Sequence, residues 1–323
     1  MNRKKIAVIA GGFSGEDVVS FKSADMVMNN IDKDFFAPTL IHISNDNWVA
    51  IINSKKVAID KNDFSYTVDS IKNTFDAIFI MIHGSPGENG ILQGYFDLLD
   101  LPYTTGGVLN MALTFDKYTC NNYLGSFGIK SAKSIRVDKN ELYSTSEIAA
   151  QLGLPVFIKP NTGGSSLAIR KVYEKEAIHE AVNLALEISD QVIIEEFIEG
   201  VEVSGGVIIK DGELLALPLT EIISENDFFD FAAKYEGSSS EITPARISQD
   251  ISNKIQAISK RIFDLIDCRG MIRVDYIIKE NQPYLIEVNS VPGFSEQSLI
   301  PQQAAAVGIS KKELISIVLE SCF

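Results

Sequence analysis

The feature that most restricts this chain is an alternation of short apolar runs with helix-period segments in its N-terminal third. After Lys5, residues 6–10 are apolar and stop at Gly11-Gly12, and a helical pattern follows from Glu16 to Ile31. Strands expected at 37–42 and 77–82 and a helical stretch at 91–99 continue the series. Strand–helix alternation predicts an α/β fold with a parallel sheet covered by helices. Loops that carry function then sit at the C-terminal ends of the strands. Two such ends are Gly11-Gly12-Phe13-Ser14-Gly15-Glu16 and His83-Gly84-Ser85-Pro86-Gly87-Glu88.

Beyond Leu101-Pro102 the pattern changes. Helical segments are expected over 109–127, 174–189 and 251–266, and strands over 155–160, 167–172, 192–197, 202–210, 213–220, 271–279 and 284–289. A chain of 323 residues can bury a sizeable core and is expected to form two or three packed units. No repeat or low-complexity tract appears. The net charge of −14 argues against nucleic acid, which demands a basic surface. It does not exclude a nucleotide whose phosphates are met locally by lysines and a divalent cation. Cys120, Cys268 and Cys322 are scattered, so neither a zinc site nor a disulfide framework is expected. The apolar run after the basic N-terminus is too short for a signal peptide, and no stretch suits a membrane span. A cytoplasmic protein without a membrane partner is expected.

Three constellations carry chemistry. The first is Arg273 and Asp275 with Glu287 and Asn289, in two apolar strands joined by Glu280-Asn281-Gln282-Pro283. This reads as an antiparallel hairpin. Side chains two apart share a face, so all four point together if opposed residues have an even sum. Two carboxylates and an amide oxygen suit Mg²⁺, although a solvated sheet face would show the same alternation. The second is Lys159-Pro160-Asn161-Thr162-Gly163-Gly164-Ser165-Ser166, a glycine-rich connection between strands. Its backbone N–H groups suit phosphate oxygens, and a plain turn fits equally well. The third is the acidic run Glu195-Glu196-Phe197-Ile198-Glu199 leading to Glu202, which is either a nucleotide edge or a solvated strand end.

The ordered set is far more specific than its parts. It runs from Gly11–Glu16 with Val19-Ser20, through His83-Gly84, Gly87–Gly90, Gln93-Gly94, Pro102-Tyr103 and Asp116-Lys117. It continues with Lys159-Pro160, Gly164–Ser166, Glu195–Glu202, Lys234-Tyr235, Pro244-Ala245, Arg273–Asp275, Glu287–Phe294 and Ser298-Leu299. Over essentially its whole length the chain resembles the D-alanine–D-alanine ligases of the ATP-grasp superfamily.

That resemblance implies an N-terminal substrate-binding domain at 1–105 and two ATP-grasp subdomains, α+β in character, at 106–195 and 196–323. It implies ATP-dependent joining of two D-alanines through an acyl phosphate, for peptidoglycan precursors, with two Mg²⁺ ions (or Mn²⁺) and a homodimeric state. Lys117, Lys159, Gly164, Ser166 and Lys234 would meet the ATP phosphates; Glu195, Glu196 and Ile198 the adenine; Glu202 the ribose. Asp275, Glu287 and Asn289 would hold the metal. Glu16 would take the first D-alanine's ammonium, in a triad with Ser165 and Tyr235, and His83 would lie at the substrate. Arg273 and the Gly293 N–H would stabilise the oxyanion, and Ser298 with the Leu299 N–H would hold the second carboxylate. The segment 224–244 would be a lid. Gly163 replaces the family's usual glutamate, Asn89 its aspartate, and Phe229 and Phe231 its tyrosines. The same superfamily includes D-alanine–D-lactate and other dipeptide ligases, which remain alternatives. A nucleotide-binding protein without catalysis is disfavoured by the intact Arg273, Asp275, Glu287 and Asn289.

Overall fold

The computed structural model describes residues 3–164, 168–224 and 239–323. Three sheets follow one another along the chain. The first has seven strands: β1 (Lys4–Gly11), β2 (Phe36–Ile43), β3 (Trp48–Ile52), β4 (Lys55–Asp60), β5 (Ser65–Val68), β6 (Ile71–Asn73) and β7 (Ala77–Ile80). Their order is β6-β5-β4-β3-β2-β1-β7. β1 runs parallel to both β2 and β7, with helix α1 (Asp17–Asn30) in the first connection and α2 (Ile91–Leu98) after β7.

The expected parallel sheet is present and is extended at one edge. Only β1, β2 and β7 are parallel; β3 to β6 add an antiparallel meander. The signal missed lies in the turns. Asn53-Ser54 and Asp69-Ser70 both have positive φ, the backbone of a two-residue hairpin turn made without glycine.

Alternation along β1 explains why it is buried from Ile6 to Gly11. Ile6, Val8 and Ala10 face a core shared with Ala24, Val27 and Ile31 of the α1 region, while Ala7 and Ile9 face a second core with Phe64, Ile78 and Phe96. Leu314, Ile315 and Val318 of the last helix belong to the first of these cores, so the two ends of the chain pack together.

Helices α3 (Val108–Phe115) and α4 (Lys117–Ser126) lead to the second sheet. Its strands are β8 (Ser134–Asp138), β9 (Val156–Pro160), β10 (Arg170–Val172) and β11 (Gln191–Glu196), in the order β10-β9-β11-β8. Helices α5 (Thr145–Leu152) and α6 (Ile178–Leu186) accompany it. α5 starts where the Ser144 hydroxyl accepts from the Glu147 N–H, an N-cap that satisfies an orphan donor of the first turn.

The third sheet is antiparallel: β12 (Val201–Lys210), β13 (Glu213–Ala216), β14 (Thr220–Ser224), β15 (Ser239–Ile242), β16 (Met271–Lys279) and β17 (Gln282–Asn289). The single strand expected over 213–220 is broken in two at Leu217-Pro218-Leu219, because Pro218 has no N–H for the ladder. Helix α7 (Gln249–Leu265) packs on β12 and β13, and α8 (Leu299–Ala306) and α9 (Lys311–Glu320) close the chain.

Candidate active site

A cavity of about 430 Å³ lies where the three sheets meet. One wall is the β16–β17 hairpin. Its turn, Glu280-Asn281, has positive φ at both residues. Asp275 pairs with Glu287 and Arg273 with Asn289, so the even-sum register is present. A bulge after Asp275 shifts the pairing to Tyr276 opposite Leu285. The extra residue therefore falls in the other half of the hairpin, and Ile277 and Tyr284 line the cavity beside the polar four.

This face is densely hydrogen-bonded. Arg273 grips Asp275 through Nε at 2.9 Å to Oδ1 and Nη2 at 2.7 Å to Oδ2. The Ser204 hydroxyl donates to Oδ1 at 2.6 Å, and the Asn289 amide to Oδ2 at 3.1 Å. Arg273 and Asp275 are both buried, and a buried carboxylate stays ionic only when paired and hydrogen-bonded. Glu287 has cations at its two oxygens: Lys117 Nζ at 3.8 Å and Arg273 Nη2 at 4.0 Å. Lys117 opens α4 and donates to the Gly163 carbonyl at 2.6 Å, which ties α4 to the glycine-rich connection.

The facing wall comes from β9 and β11. Lys159 and Glu195 lie diagonally across the two strands and form a buried ion pair at 2.8 Å. Glu196 Oε1 accepts from the Lys133 N–H, so this side chain holds the strand entering β8. Ile198 and Glu202 line the same end of the cavity.

The third side comes from the first sheet. Glu16 sits at the start of α1, with its carboxylate wedged between the loops after β7 and β9. A Cβ on Gly164 would lie 2.9 Å from Glu16 Oε1, and one on Gly84 would collide with Ser14 and Glu16. Gly84 also has φ +68, so both space and backbone call for glycine there. Glu88 lies behind Glu16 and accepts from the Gly84 N–H at 2.6 Å. Burial, then the charge of Glu16, pushes the Glu88 carboxyl up to about 7, against the opposing pull of the Gly84 amide and Lys117. His83 ends β7's loop with Nδ1 3.0 Å from the Val291 carbonyl and Nε2 3.1 Å from the Ser23 hydroxyl.

Ser298 stands at the N-cap position of α8 with no side-chain bond to the helix; its hydroxyl accepts from the Ser295 N–H at 2.9 Å, and the Leu299 N–H begins the helix. Gly293 lies close to Ser298 and lines the cavity. Of the expected site residues, Ser165, Ser166, Lys234 and Tyr235 lie outside the described residues, as do Phe229, Phe231 and most of the expected lid. The others named in the first subsection are brought to this one cavity.

Glu88 and Ser204 have roles the sequence reading missed. Ser204 had a signal: on β12 it shares a face with Glu202 by period two. Glu88 sat inside a quoted motif, but only the fold shows its carboxylate beside Glu16. The three cysteines take no part. Burial pushes each thiol up to about 12, far from thiolate at neutral pH.

The donor set bears on a metal. Among the described residues no cluster of three His, Cys, Asp or Glu occurs. Glu287, Asn289 and Asp275 nevertheless offer only oxygens from one face, the chemistry a hard divalent cation takes. Asp275 already accepts hydrogen bonds from four donor groups, so Glu287 and the Asn289 oxygen are the readier ligands.

Among the described residues no helix is long and apolar enough to cross a membrane. The family models for the D-Ala–D-Ala ligase N-terminus and C-terminus match residues 5–106 and 124–320. A curated relative from Parabacteroides distasonis, named D-alanine–D-alanine ligase, is 46% identical over 98% of this chain and 97% of its own length. Among solved structures, the VanG D-Ala:D-Ser ligase of Enterococcus faecalis superposes with TM-score 0.89 at 32% identity, covering all of both chains. The D-alanine–D-alanine ligase of Bacillus anthracis complexed with ATP gives 0.80 at 26% identity, covering 99% of this chain and 97% of that one. With both halves matched in order and the polar hairpin, lysines and glycine loops gathered round one cavity, the chain belongs to the D-alanine–D-alanine ligase family.

Proposed function

We propose that this protein uses ATP to join two D-alanine molecules into D-alanyl-D-alanine, a peptidoglycan precursor. The observation that carries the reading is the β16–β17 face, with its guanidinium and carboxylates turned into the same cavity as Lys117, Lys159, Gly293 and the start of α8. A carboxylate resists attack by an amine because its leaving group would be oxide. Transfer of the ATP γ-phosphoryl group to the first D-alanine makes an acyl phosphate, from which phosphate can leave. The second amine then attacks, and negative charge grows on the former carbonyl oxygen.

Each residue has a place in this scheme. Glu16 holds the first ammonium. Lys117 and Lys159 meet phosphate oxygens, together with the backbone at Gly164 and with Ser166 and Lys234. Glu195 keeps Lys159 pointed into the cavity. Glu195, Glu196 and Ile198 border the adenine, and Glu202 takes the ribose. Arg273 and the Gly293 N–H face the oxyanion, where one preorganised donor contributes about 3 kcal/mol. Ser298 and the Leu299 N–H, at a helix N-terminus, hold the second carboxylate. Glu287, Asn289 and Asp275 would hold Mg²⁺ or Mn²⁺, whose part is to neutralise charge on the transferring phosphoryl group. Ser165 and Tyr235 complete a hydrogen-bonded set with Glu16. The units 1–105, 106–195 and 196–323, a homodimer and a cytoplasmic location belong to the same proposal.

The 32% identical D-Ala:D-Ser ligase makes D-serine the first rival second substrate. D-lactate is a weaker one. A protonated lid histidine would favour it, and the sequence holds no histidine after His179, whereas Tyr235 tolerates an amine. The test is ADP release with a panel of D- and L-amino acids and D-lactate, with products resolved by mass. D-alanyl-D-alanine is expected to dominate. ATP turnover only with other acids would overturn the substrate assignment, and no ATP turnover with any would overturn the ligase reading.

A further inference from the structure

The Gly293 N–H sits in a segment tied at both ends to the N-terminal part of the chain. At one end, His83 Nδ1 lies 3.0 Å from the Val291 carbonyl oxygen. A carbonyl only accepts, so Nδ1 carries the proton; in the neutral ring Nε2 is then the acceptor, and it lies 3.1 Å from the Ser23 hydroxyl. At the other end, the same Ser23 oxygen accepts from the Phe294 N–H at 3.2 Å. Ser23 and Phe294 are wholly buried, and His83 nearly so. Between the anchors Pro292 has no N–H and a restricted φ. Gly293 is therefore the remaining donor of the segment, and among the described residues no acceptor lies on it. An alanine would pack at position 23 beside Ala24 and Val27 at least as well as serine. A buried hydroxyl is an expense unless both its proton and its lone pairs are used, as they are here.

We propose that Ser23 and His83 are positioning residues for the ligation step, a two-residue brace that holds the Gly293 N–H aimed into the cavity before charge develops there. The inference rests on the ligase reading above. A donor fixed in advance needs no reorganisation when the oxyanion forms, so the brace acts on the second step and not on acyl phosphate formation.

The test compares the wild-type chain with Ser23→Ala and His83→Gln. For each we would measure kcat and KM for D-alanine, ADP released per dipeptide formed, melting temperature, and amide relaxation at Gly293 by NMR. In Ser23→Ala, kcat for dipeptide is expected to fall about 10- to 100-fold, the scale of a small misplacement of a catalytic group. KM should stay within about threefold, because ground-state contacts are untouched. ADP per dipeptide should rise, since an acyl phosphate that waits is lost to water. Gly293 should become more mobile. Unchanged kcat and unchanged ADP per dipeptide in a folded Ser23→Ala protein would overturn the brace. So would an equal loss of both steps, which is the mark of general damage. If Ser23→Ala does not fold, His83→Gln is judged on the same two readouts together with Gly293 relaxation, which loss of a substrate contact alone would leave unchanged. If the wild-type chain makes no dipeptide, the ligase reading fails by itself. Gly293 relaxation in the variants then still decides whether the brace exists.

Discussion

The cavity's two facing walls solve the problem of buried charge differently. On the β16–β17 side, Arg273, Asp275, Ser204 and Asn289 form a network in which Asp275 accepts from four donor groups. On the β9–β11 side, one ion pair, Lys159 with Glu195, sits among apolar neighbours such as Phe157 and Ile198. The first wall is proposed to face charge that moves during reaction, and its groups must be in place beforehand. The second is proposed to face a flat base and phosphates whose charge is present from the start. There this wall contributes one cation, Lys159, steered by Glu195. The difference teaches that polar density follows where charge changes, not where it merely resides.

Glu287→Gln should strain this comparison most. The amide keeps the shape but loses the charge proposed for the metal. Ligation should fall on the order of 1000-fold, several kcal/mol of transition-state stabilisation, with the fold intact by circular dichroism. Near wild-type turnover with the same Mg²⁺ requirement would remove the special status of the hairpin wall. Arg273→Ala should follow, with kcat down about 100-fold and KM for D-alanine little changed. A rise confined to KM would make Arg273 a binding residue and blur the two walls.

The β9–β11 wall makes the opposite forecast. Glu195→Gln leaves Lys159 buried beside a neutral amide. Stability should drop by about 2 kcal/mol, less than in a dry interior because the cavity admits water, with KM for ATP raised more than kcat is lowered. Denaturant unfolding and initial rates would show it, and a pure kcat loss would put this wall in the same class as the hairpin.

The smallest effect concerns Glu88, which belongs to neither wall. Its folded pKa of about 7 lies above the ordinary 4.5, so the folded protein holds this proton more tightly than the unfolded chain does. The stability it contributes is full below about pH 4.5 and lost as pH rises through 7. Glu88→Gln should therefore melt higher than wild type at pH 8, by about 1–2 kcal/mol, with the gap closing toward pH 4.5. A gap that does not change with pH would mean that Glu88 is not held near neutrality by its surroundings.

Legibility divides along similar lines. The hairpin wall could be read because its chemistry is local. Four odd-numbered polar residues in two apolar strands leave one face for them all, and the observed register puts Asp275 opposite Glu287. Strands β1, β2 and β7 were legible from their apolar runs, but β3 to β6 were not, because their turns use Asn-Ser and Asp-Ser where glycine is the usual marker. The Lys159–Glu195 pair was beyond reach, since it depends on β9 and β11 being neighbours although β10 and α6 lie between them in sequence.

The sequence by itself determined the family resemblance, the residue types of the site and the shared face of the hairpin, because period-two alternation and glycine-bounded turns are properties of neighbouring residues. Only the tertiary structure decided that Ser204 supports Asp275 from another strand, that Glu16 lies against Glu88, and that His83 and Ser23 meet Val291 and Phe294, 208 and 271 residues further on. Those contacts are set by which elements pack together, and packing optimises the whole core at once, so no local pattern encodes them.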